Sequence, residues 1–341
     1  MTLTTLVTPE SAGWAFGGLA ILDLPPDGAA DVETRGSEML VLPLSGGPAT
    51  VECDGTVVQL EGRPSVFARV TDFGYVPRDA SVTVRAPRGG VYALPSARCD
   101  RRLEPCYGKA EEVPVELRGA GPASRQVNNF CAPDAFDTAR LTAVEVLTPG
   151  GNWSSYPPHK HDTEAAGEAI LEEIYYFLIR DGVADPATEG RASGRSPGGA
   201  GSQGDDSVGR GAKPQPETGG YPRGGAPRGM GYQRVYGSPG KPIDVLREVR
   251  SGDVVLVPHG YHGPSMAAPG YDMYYLNVLA GPADQRTMAF RDDPCHAWVR
   301  ASWAVQELDP RLPMTTHLGV GGAPKADPRA RTTIQKHSEG A

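Results

Sequence analysis

Short apolar runs closed by turn residues follow one another through the first 115 residues or so. Met39-Leu40-Val41-Leu42-Pro43-Leu44 ends in Ser45-Gly46-Gly47-Pro48. Ala49-Thr50-Val51-Glu52-Cys53 is joined to Thr56-Val57-Val58-Gln59-Leu60 by Asp54-Gly55. Asp-Gly between two such runs is a hairpin signal, because the tight turn needs residues that tolerate positive φ. Ser65-Val66-Phe67, Gly74-Tyr75-Val76-Pro77, Ser81-Val82-Thr83-Val84 and Gly90-Val91-Tyr92-Ala93-Leu94 continue the pattern. Many short strands at regular turn spacing make a sandwich or a barrel. The 44 glycines and 33 prolines agree, since they favour turns over helices.

A second β-rich unit begins near Leu141-Thr142-Ala143-Val144-Glu145-Val146-Leu147 and runs to Tyr274-Tyr275-Leu276-Asn277-Val278. The expected organisation is all-β, with two tandem β-barrels or sandwiches and few short helices. Residues 1–115 form the first and 116–305 the second; 306–341 is a C-terminal extension and largely a loose tail, its composition from about Gly319 resembling a flexible segment. Inside the second unit, residues 182–231 are nearly free of aliphatic side chains, as in Gly190-Arg191-Ala192-Ser193-Gly194-Arg195-Ser196-Pro197-Gly198-Gly199. Such a segment buries too little surface to offset its ordering entropy, and reads as a flexible insertion between strands.

Composition narrows the partners. A net charge of −8 without a basic tract excludes nucleic acid as a general partner. No apolar run approaches the roughly 20 residues of a membrane span, and Met1 to Gly13 lacks the basic start and apolar core of a signal peptide. Cys53, Cys99, Cys106, Cys131 and Cys295 are odd in number and scattered, which fits free thiols in a reducing compartment. The expected location is the cytoplasm, with a homo-oligomer left open.

Chemistry is confined to the second unit, since no histidine precedes His159. Tyr156-Pro157-Pro158-His159-Lys160-His161-Asp162 carries His-x-His, and two prolines hold the approach extended. Strand side chains alternate, so both imidazoles share one face. Glu164, Glu168, Glu172 and Glu173 are the nearby carboxylates. Glu173 is favoured because it opens the strand Glu173-Ile174-Tyr175-Tyr176-Phe177 on the face of Tyr175 and Phe177. Glu172 should point to solvent or stand behind the site. About a hundred residues on, Pro258-His259-Gly260-Tyr261-His262 offers His262 as a ligand, with His259 at the rim. Three imidazoles and a carboxylate suit a divalent first-row metal with positions open to substrate. The two blocks resemble the two cupin motifs, the second one residue shorter than the usual Pro-x-Gly-x-x-His.

Longer stretches resemble the 5-deoxy-glucuronate isomerase family of myo-inositol catabolism. They include Gly150-Gly151-Asn152-Trp153-Ser154-Ser155 running into the His-x-His block, Leu171-Glu172-Glu173-Ile174-Tyr175-Tyr176 and Tyr232-Gln233-Arg234-Val235-Tyr236. Gly252 to Pro258, Gly270 to Pro282, Asp292-Asp293-Pro294 with His296 and Trp298, Arg118-Gly119-Ala120-Gly121 and Arg125-Gln126-Val127-Asn128-Asn129 belong to the same likeness, over roughly 10–305. The resemblance implies a bicupin that converts 5-deoxy-D-glucuronate to 2-deoxy-5-keto-D-gluconate. In a related uronate ketol-isomerase family the ligand pattern is His-x-His, a Glu before a hydrophobic-Tyr pair, and a later His. That pattern falls on His159, His161, Glu173 and His262, holding a divalent ion such as Zn, Mn or Fe.

Such an isomerisation needs acid–base groups and an anchor for the substrate carboxylate. His259, Tyr232 and Tyr275 are candidates for proton transfer, beside a solvent-derived base at the metal. Arg125 and Arg234 are candidates for the carboxylate, and Tyr175 for the sugar hydroxyls. A cupin dioxygenase and a non-catalytic sugar-binding or regulatory bicupin are the competing readings, because this fold hosts many functions.

Overall fold

The computed structural model describes residues 2–181 and 229–321. Every strand pairing within its sheets is antiparallel, as short connections between turn-punctuated strands require. The N-terminal unit pairs, in order across one sheet, Thr2–Val7, Gly17–Leu24, Gly90–Arg98, Ser37–Gly46, Phe73–Val76 and Cys106–Gly108. A second sheet of Gly28–Glu33, Ser81–Ala86, Ala49–Cys53 and Thr56–Leu60 faces it. The Asp54-Gly55 turn forms as its chemistry demands: both residues have positive φ, 51° and 77°, and Cys53 pairs with Thr56.

The C-terminal unit repeats the plan. One sheet runs Val115–Arg118, Arg125–Asn129, Thr142–Thr148, Tyr271–Ala280, Glu172–Asp181 and Val254–Val257. The other runs Lys241–Val249, Gly231–Ser238, Tyr261–Ala267, His159–Lys160 and Arg291–Asp292. The largest core lies between the units, where their six-stranded sheets meet. Leu19, Ile21, Leu40, Leu42 and Phe73 from the first pack with Ile174, Tyr176, Leu178, Leu276 and Val278 from the second. Each such side chain contributes about 1.5–3 kcal/mol by leaving water, so the seam holds the units together.

Carboxylates cross the same seam, Glu145 and Glu38 buried and Glu172 half-buried. Glu145 pairs with Arg63 at 2.7 Å, both side chains fully buried. Glu38 accepts from Tyr75 Oη and from the backbone N–H groups of Ala139, Arg140 and Leu141. Glu172 accepts from the backbone N–H groups of Ala15, Phe16 and Gly17 at 2.6, 2.8 and 2.8 Å. The expectation of a solvent-facing Glu172 is therefore corrected: it points away from Glu173, but into the neighbouring unit.

The C-terminal extension also differs from expectation over residues 306–321. Leu312 and Met314 enter the seam core, the Thr315 N–H donates to Gln126 Oε1 at 3.0 Å, and the Val70 N–H donates to the Thr316 carbonyl. Two well-placed apolar side chains and a paired backbone order a stretch whose composition looks loose. Residues 322–341 and 182–228 lie outside the described residues, while Gly231 already opens a strand. All five cysteines are free; Cys106 and Cys295 are exposed.

Candidate metal centre

The strand Glu172–Asp181 sorts its side chains by alternation. Ile174, Tyr176 and Leu178 enter the seam core, while Tyr175 and Phe177 face between the two C-terminal sheets, and Glu173 and Tyr175 line a cavity there. Its neighbour Tyr271–Ala280 places Leu279 opposite Glu173, Asn277 opposite Tyr175 and Tyr275 opposite Phe177. From the facing sheet, His159 pairs in register with His262, and His161 follows two residues on. The cavity is lined by His159, His161, Glu173, Tyr175, Tyr275, Asn277, Ser155, Arg118, Arg125 and Phe290, among others.

His161, Glu173 and His262 bring one ligand atom each within 4.8 Å of one another, all three residues being buried. His159 stands beside them, its ring 4.4 Å from that of His262 and 6.5 Å from that of His161. Each imidazole turns Nδ1 toward a backbone carbonyl: His159 to Pro157 at 3.2 Å, His161 to Leu171 at 3.0 Å, His262 to Gly260 at 3.3 Å. A carbonyl only accepts, so these contacts put the ring proton on Nδ1 and leave the Nε2 lone pair for the cavity. The Asn277 amide donates to Glu173 Oε1 at 2.5 Å, which aims Oε2 at the histidines. Oε2 lies 2.9 Å from His161 Nε2 and 3.0 Å from His262 Nε2.

Lone pairs thus face lone pairs. The buried His262 Nε2 has no hydrogen-bond partner despite its proximity to the carboxylate. A cation resolves that arrangement, and the donor set of imidazole nitrogens and one carboxylate oxygen fits a first-row divalent ion. Burial, reinforced by the charge of His262, holds the His159 pKa well below its ordinary value, against the pull of Glu173. Burial alone would raise the Glu173 pKa. The charge of His262 and the close His161 imidazole outweigh it and keep the carboxyl ionised. His161 goes the other way: burial would lower its pKa, but the hydrogen bond and charge of Glu173 outweigh burial and raise it. A bound cation would take the place of that proton, neutral imidazole and ionised carboxylate being the ligand forms.

Alternation sends Lys160 to the opposite side of the His-x-His strand. There Nζ reaches Asp162 at 2.8 Å and Glu168 at 2.5 Å. Asp162 also accepts the Gly260 N–H at 2.9 Å. Gly260 has φ 91°, and a Cβ there would sit 2.5 Å from the Tyr236 carbonyl, so only glycine fits. This network ties the His159–His161 segment to the turn that presents His262.

On the other flank of the cavity, Ser155 Oγ lies 3.0 Å from both Tyr175 Oη and Tyr275 Oη. Ser155 has φ 48°, a left-handed conformation rare outside glycine. Burial pushes the pKa of both tyrosines up, so they stay neutral hydroxyls. Arg125 lines the same cavity.

Three expected participants lie elsewhere. In the strand Gly231–Ser238, Gly231, Gln233 and Val235 are buried, and Tyr232 and Arg234 take the opposite face. Arg234 is satisfied there by Asp244 and by the Val235 and Val245 carbonyls. His259 is half-buried, with Nε2 3.3 Å from the Pro242 carbonyl, outside the cavity. Conversely, the sequence alone gives no chemical role to Asn277, Ser155, Arg118 or Phe290. Asn277 was within reach of it, two residues beyond Tyr275 on one strand face.

The profile of the KduI/IolB family matches residues 1–188 and 213–299. A 5-deoxy-glucuronate isomerase of Geobacillus kaustophilus is 36% identical over 308 residues, covering 87% of this chain and 90% of that protein. The 5-deoxy-glucuronate isomerase of Bacillus subtilis strain 168 is 31% identical, covering 86% and 91%. The crystal structure of an IolB-like protein from Salmonella typhimurium LT2 superposes with a TM-score of 0.68 at 29% identity, over 86% of this chain and 94% of that one. An oxalate decarboxylase structure matches with a TM-score of 0.51 at 10% identity, covering 84% of this chain and 74% of that one; at that identity it shows the cupin-type fold alone.

Proposed function

The chain belongs to the KduI/IolB family, and we propose that it is an aldose–ketose isomerase converting 5-deoxy-D-glucuronate to 2-deoxy-5-keto-D-gluconate. The observation that carries this reading is the convergence of His161 Nε2, His262 Nε2 and Glu173 Oε2 within 4.8 Å of one another, at a cavity that His159, His161 and Glu173 line, in a chain whose relatives bear that activity. His159, His161, Glu173 and His262 hold a divalent ion, Zn, Mn or Fe. When bound, it supplies a Lewis acid for the substrate carbonyl and the neighbouring hydroxyl.

The chain's own residues do the rest. The reaction moves a hydrogen from C2 to C1 and the C2 hydroxyl proton to the carbonyl oxygen. Tyr175, Ser155 and Tyr275 form a hydroxyl chain in which each oxygen can accept one proton while releasing another. We assign to Tyr275 and this chain the transfer between the two substrate oxygens. Leu279, Val144, Val146 and Phe290 in the cavity wall keep bulk water from the exchanging protons. The setting is a cytoplasmic enzyme acting on a small anionic sugar, alone or as a homo-oligomer. No helix among the described residues is long and apolar enough to cross a membrane.

Anaerobic incubation of metal-loaded protein with 5-deoxy-D-glucuronate, followed by NMR, tests the reading. The ketose signals should grow in, and chelation should stop them. Absence of ketose with metal bound, or oxygen consumption coupled to substrate loss, would sink it.

A further inference from the structure

The strands Val115–Arg118 and Arg125–Asn129 pair so that Arg118 and Arg125 stand directly opposite one another. Like charges in that position are destabilising. The loop between them enforces it. Gly119 has φ 86°, and a Cβ there would lie 2.1 Å from the Ala123 carbonyl oxygen and 2.9 Å from Arg125 Nη1. Both arginines line the cavity that His159, His161 and Glu173 also line.

Their partners are unequal. Arg118 is gripped by Glu116 through two bonds of 2.8 and 2.7 Å. Arg300, whose charge also bears on Arg125, is gripped by Asp292. Arg125 is only 4% exposed, yet it meets no carboxylate among the described residues. Its Nη1 donates to the carbonyls of Ala123 and Tyr156 at 3.0 and 3.3 Å, and its Cζ lies 5.5 Å from the Trp303 ring centroid. Burial, then the charge of Arg118, push its pKa down to about 9, so it remains a cation at neutral pH. A buried guanidinium among like charges, with Nε and Nη2 unspent, is costly unless an anion completes it.

We propose that Arg125, backed by Arg118, is the carboxylate-binding end of the cavity and makes it select sugar acids over neutral sugars. The inference rests on the isomerase reading for the identity of the substrate, but its chemistry is that of any small sugar carboxylate. A planar guanidinium offers two parallel donors to a carboxylate, which a lysine cannot.

The probe is D-gluconate, with D-glucitol as its uncharged counterpart, titrated calorimetrically into the metal-loaded full chain. Gluconate should bind and glucitol should not over the same range. R125M should weaken gluconate by about tenfold or more. Without ligand it should melt no lower than the parent, because it removes an unpaired buried cation. Equal gluconate affinity in parent and R125M, or a parent that binds both probes alike or neither, would overturn the proposal. Should R125M not fold, R125K decides: it keeps the charge but not the fork, and parent-level gluconate affinity in it overturns the proposal. Turnover is scored separately, with KM for 5-deoxy-D-glucuronate raised in R125M and kcat within a few fold. A parent without turnover would overturn the isomerase reading alone, leaving the gluconate titration to decide the arginine site.

Discussion

The two units share a plan of paired sheets and fill their interiors with opposite chemistry. Between the N-terminal sheets lie Leu22, Leu24, Met39, Val41, Val51, Val82, Val84 and Leu94. Between the C-terminal sheets, Val235, Val249 and Phe177 fill part of the space. Imidazoles, a carboxylate and tyrosine hydroxyls take the rest. An apolar interior stabilises by itself, whereas a polar one must have nearly every group partnered. The C-terminal interior meets that demand almost completely: Nδ1 on backbone carbonyls, Glu173 on Asn277, hydroxyls on Ser155. Among the buried atoms that stay unpartnered, His262 Nε2 is the one beside Glu173, where a cation would sit. The difference teaches that the histidine-free unit is a buttress. Its backbone at Ala15–Gly17 clamps Glu172, the residue next to Glu173.

The sharpest way to break this comparison is to exchange ligands on one side and core residues on the other. His159→Ala, His161→Ala, His262→Ala and Glu173→Gln should each strip most of the metal and lower kcat/KM by about a thousandfold or more. Leu94→Ala in the other interior should lower stability by about 2–5 kcal/mol and leave metal content unchanged. Elemental analysis beside thermal melting reads both. Metal retained in Glu173→Gln but lost in Glu172→Gln would reverse the strand register.

The seam gives the next largest effects. Glu145→Ala takes the carboxylate from the fully buried Arg63, leaving it only carbonyl acceptors such as those of Pro43 and Arg69, and should cost about 3–5 kcal/mol, while an apolar exchange at both positions should recover much of it. Glu172→Ala removes the acceptor of three backbone N–H groups and should cost about 1–3 kcal/mol. It should also weaken metal binding about tenfold, although Glu172 is no ligand, by loosening the strand end that carries Glu173. Denaturant melts and metal titration together separate the two; unchanged metal affinity would reduce the buttress to plain packing.

A smaller effect concerns the segment that joins both units. Arg311 hydrogen-bonds Asp309 and, with burial opposing, holds its carboxyl down at about 2. The folded value lies below the unfolded one, so this contribution is complete above about pH 4 and is lost as pH falls through about 2. Arg311 is half exposed, which limits the term to about 1 kcal/mol. Hydrogen exchange at Leu312–Thr315 should accelerate over that window, and Asp309→Asn should abolish the pH dependence.

Sequence patterns reveal these features unequally, for physical reasons. Hairpins announce themselves through Asp54-Gly55, and the proposed ligand positions follow from alternation together with family likeness. Glu173 could be told from Glu172 because Tyr175 and Phe177 mark its face. The destination of Glu172 could not, since its partners are backbone atoms some 155 residues away. The order in residues 306–321 rests on Leu312 and Met314 amid polar neighbours, too sparse to show a period. Gly231–Ser238 inverts the usual rule: polar Gln233 is buried, with its carbonyl taking the Ser265 hydroxyl, while Tyr232 and Arg234 face away.

That inversion supplies the smallest predicted effect. Tyr232→Phe, Arg234→Ala and His259→Ala should each keep full metal content and kcat/KM within about twofold of the parent, as surface changes do. Tyr232 pairs across to Met266 and Glu248 on the face opposite Gln233. Arg234 is already spent on Asp244. His259 spends Nε2 on the Pro242 carbonyl, and only the turn through Gly260 connects it to His262. Tyr275→Phe is the matched contrast, because the same removal of one hydroxyl there breaks the contact with Ser155 inside the cavity. It should lower kcat by about a hundredfold without releasing metal. Steady-state kinetics on the four proteins tests the strand register directly. A Tyr232→Phe variant as impaired as Tyr275→Phe would mean that Gly231–Ser238 turns its other face to the substrate.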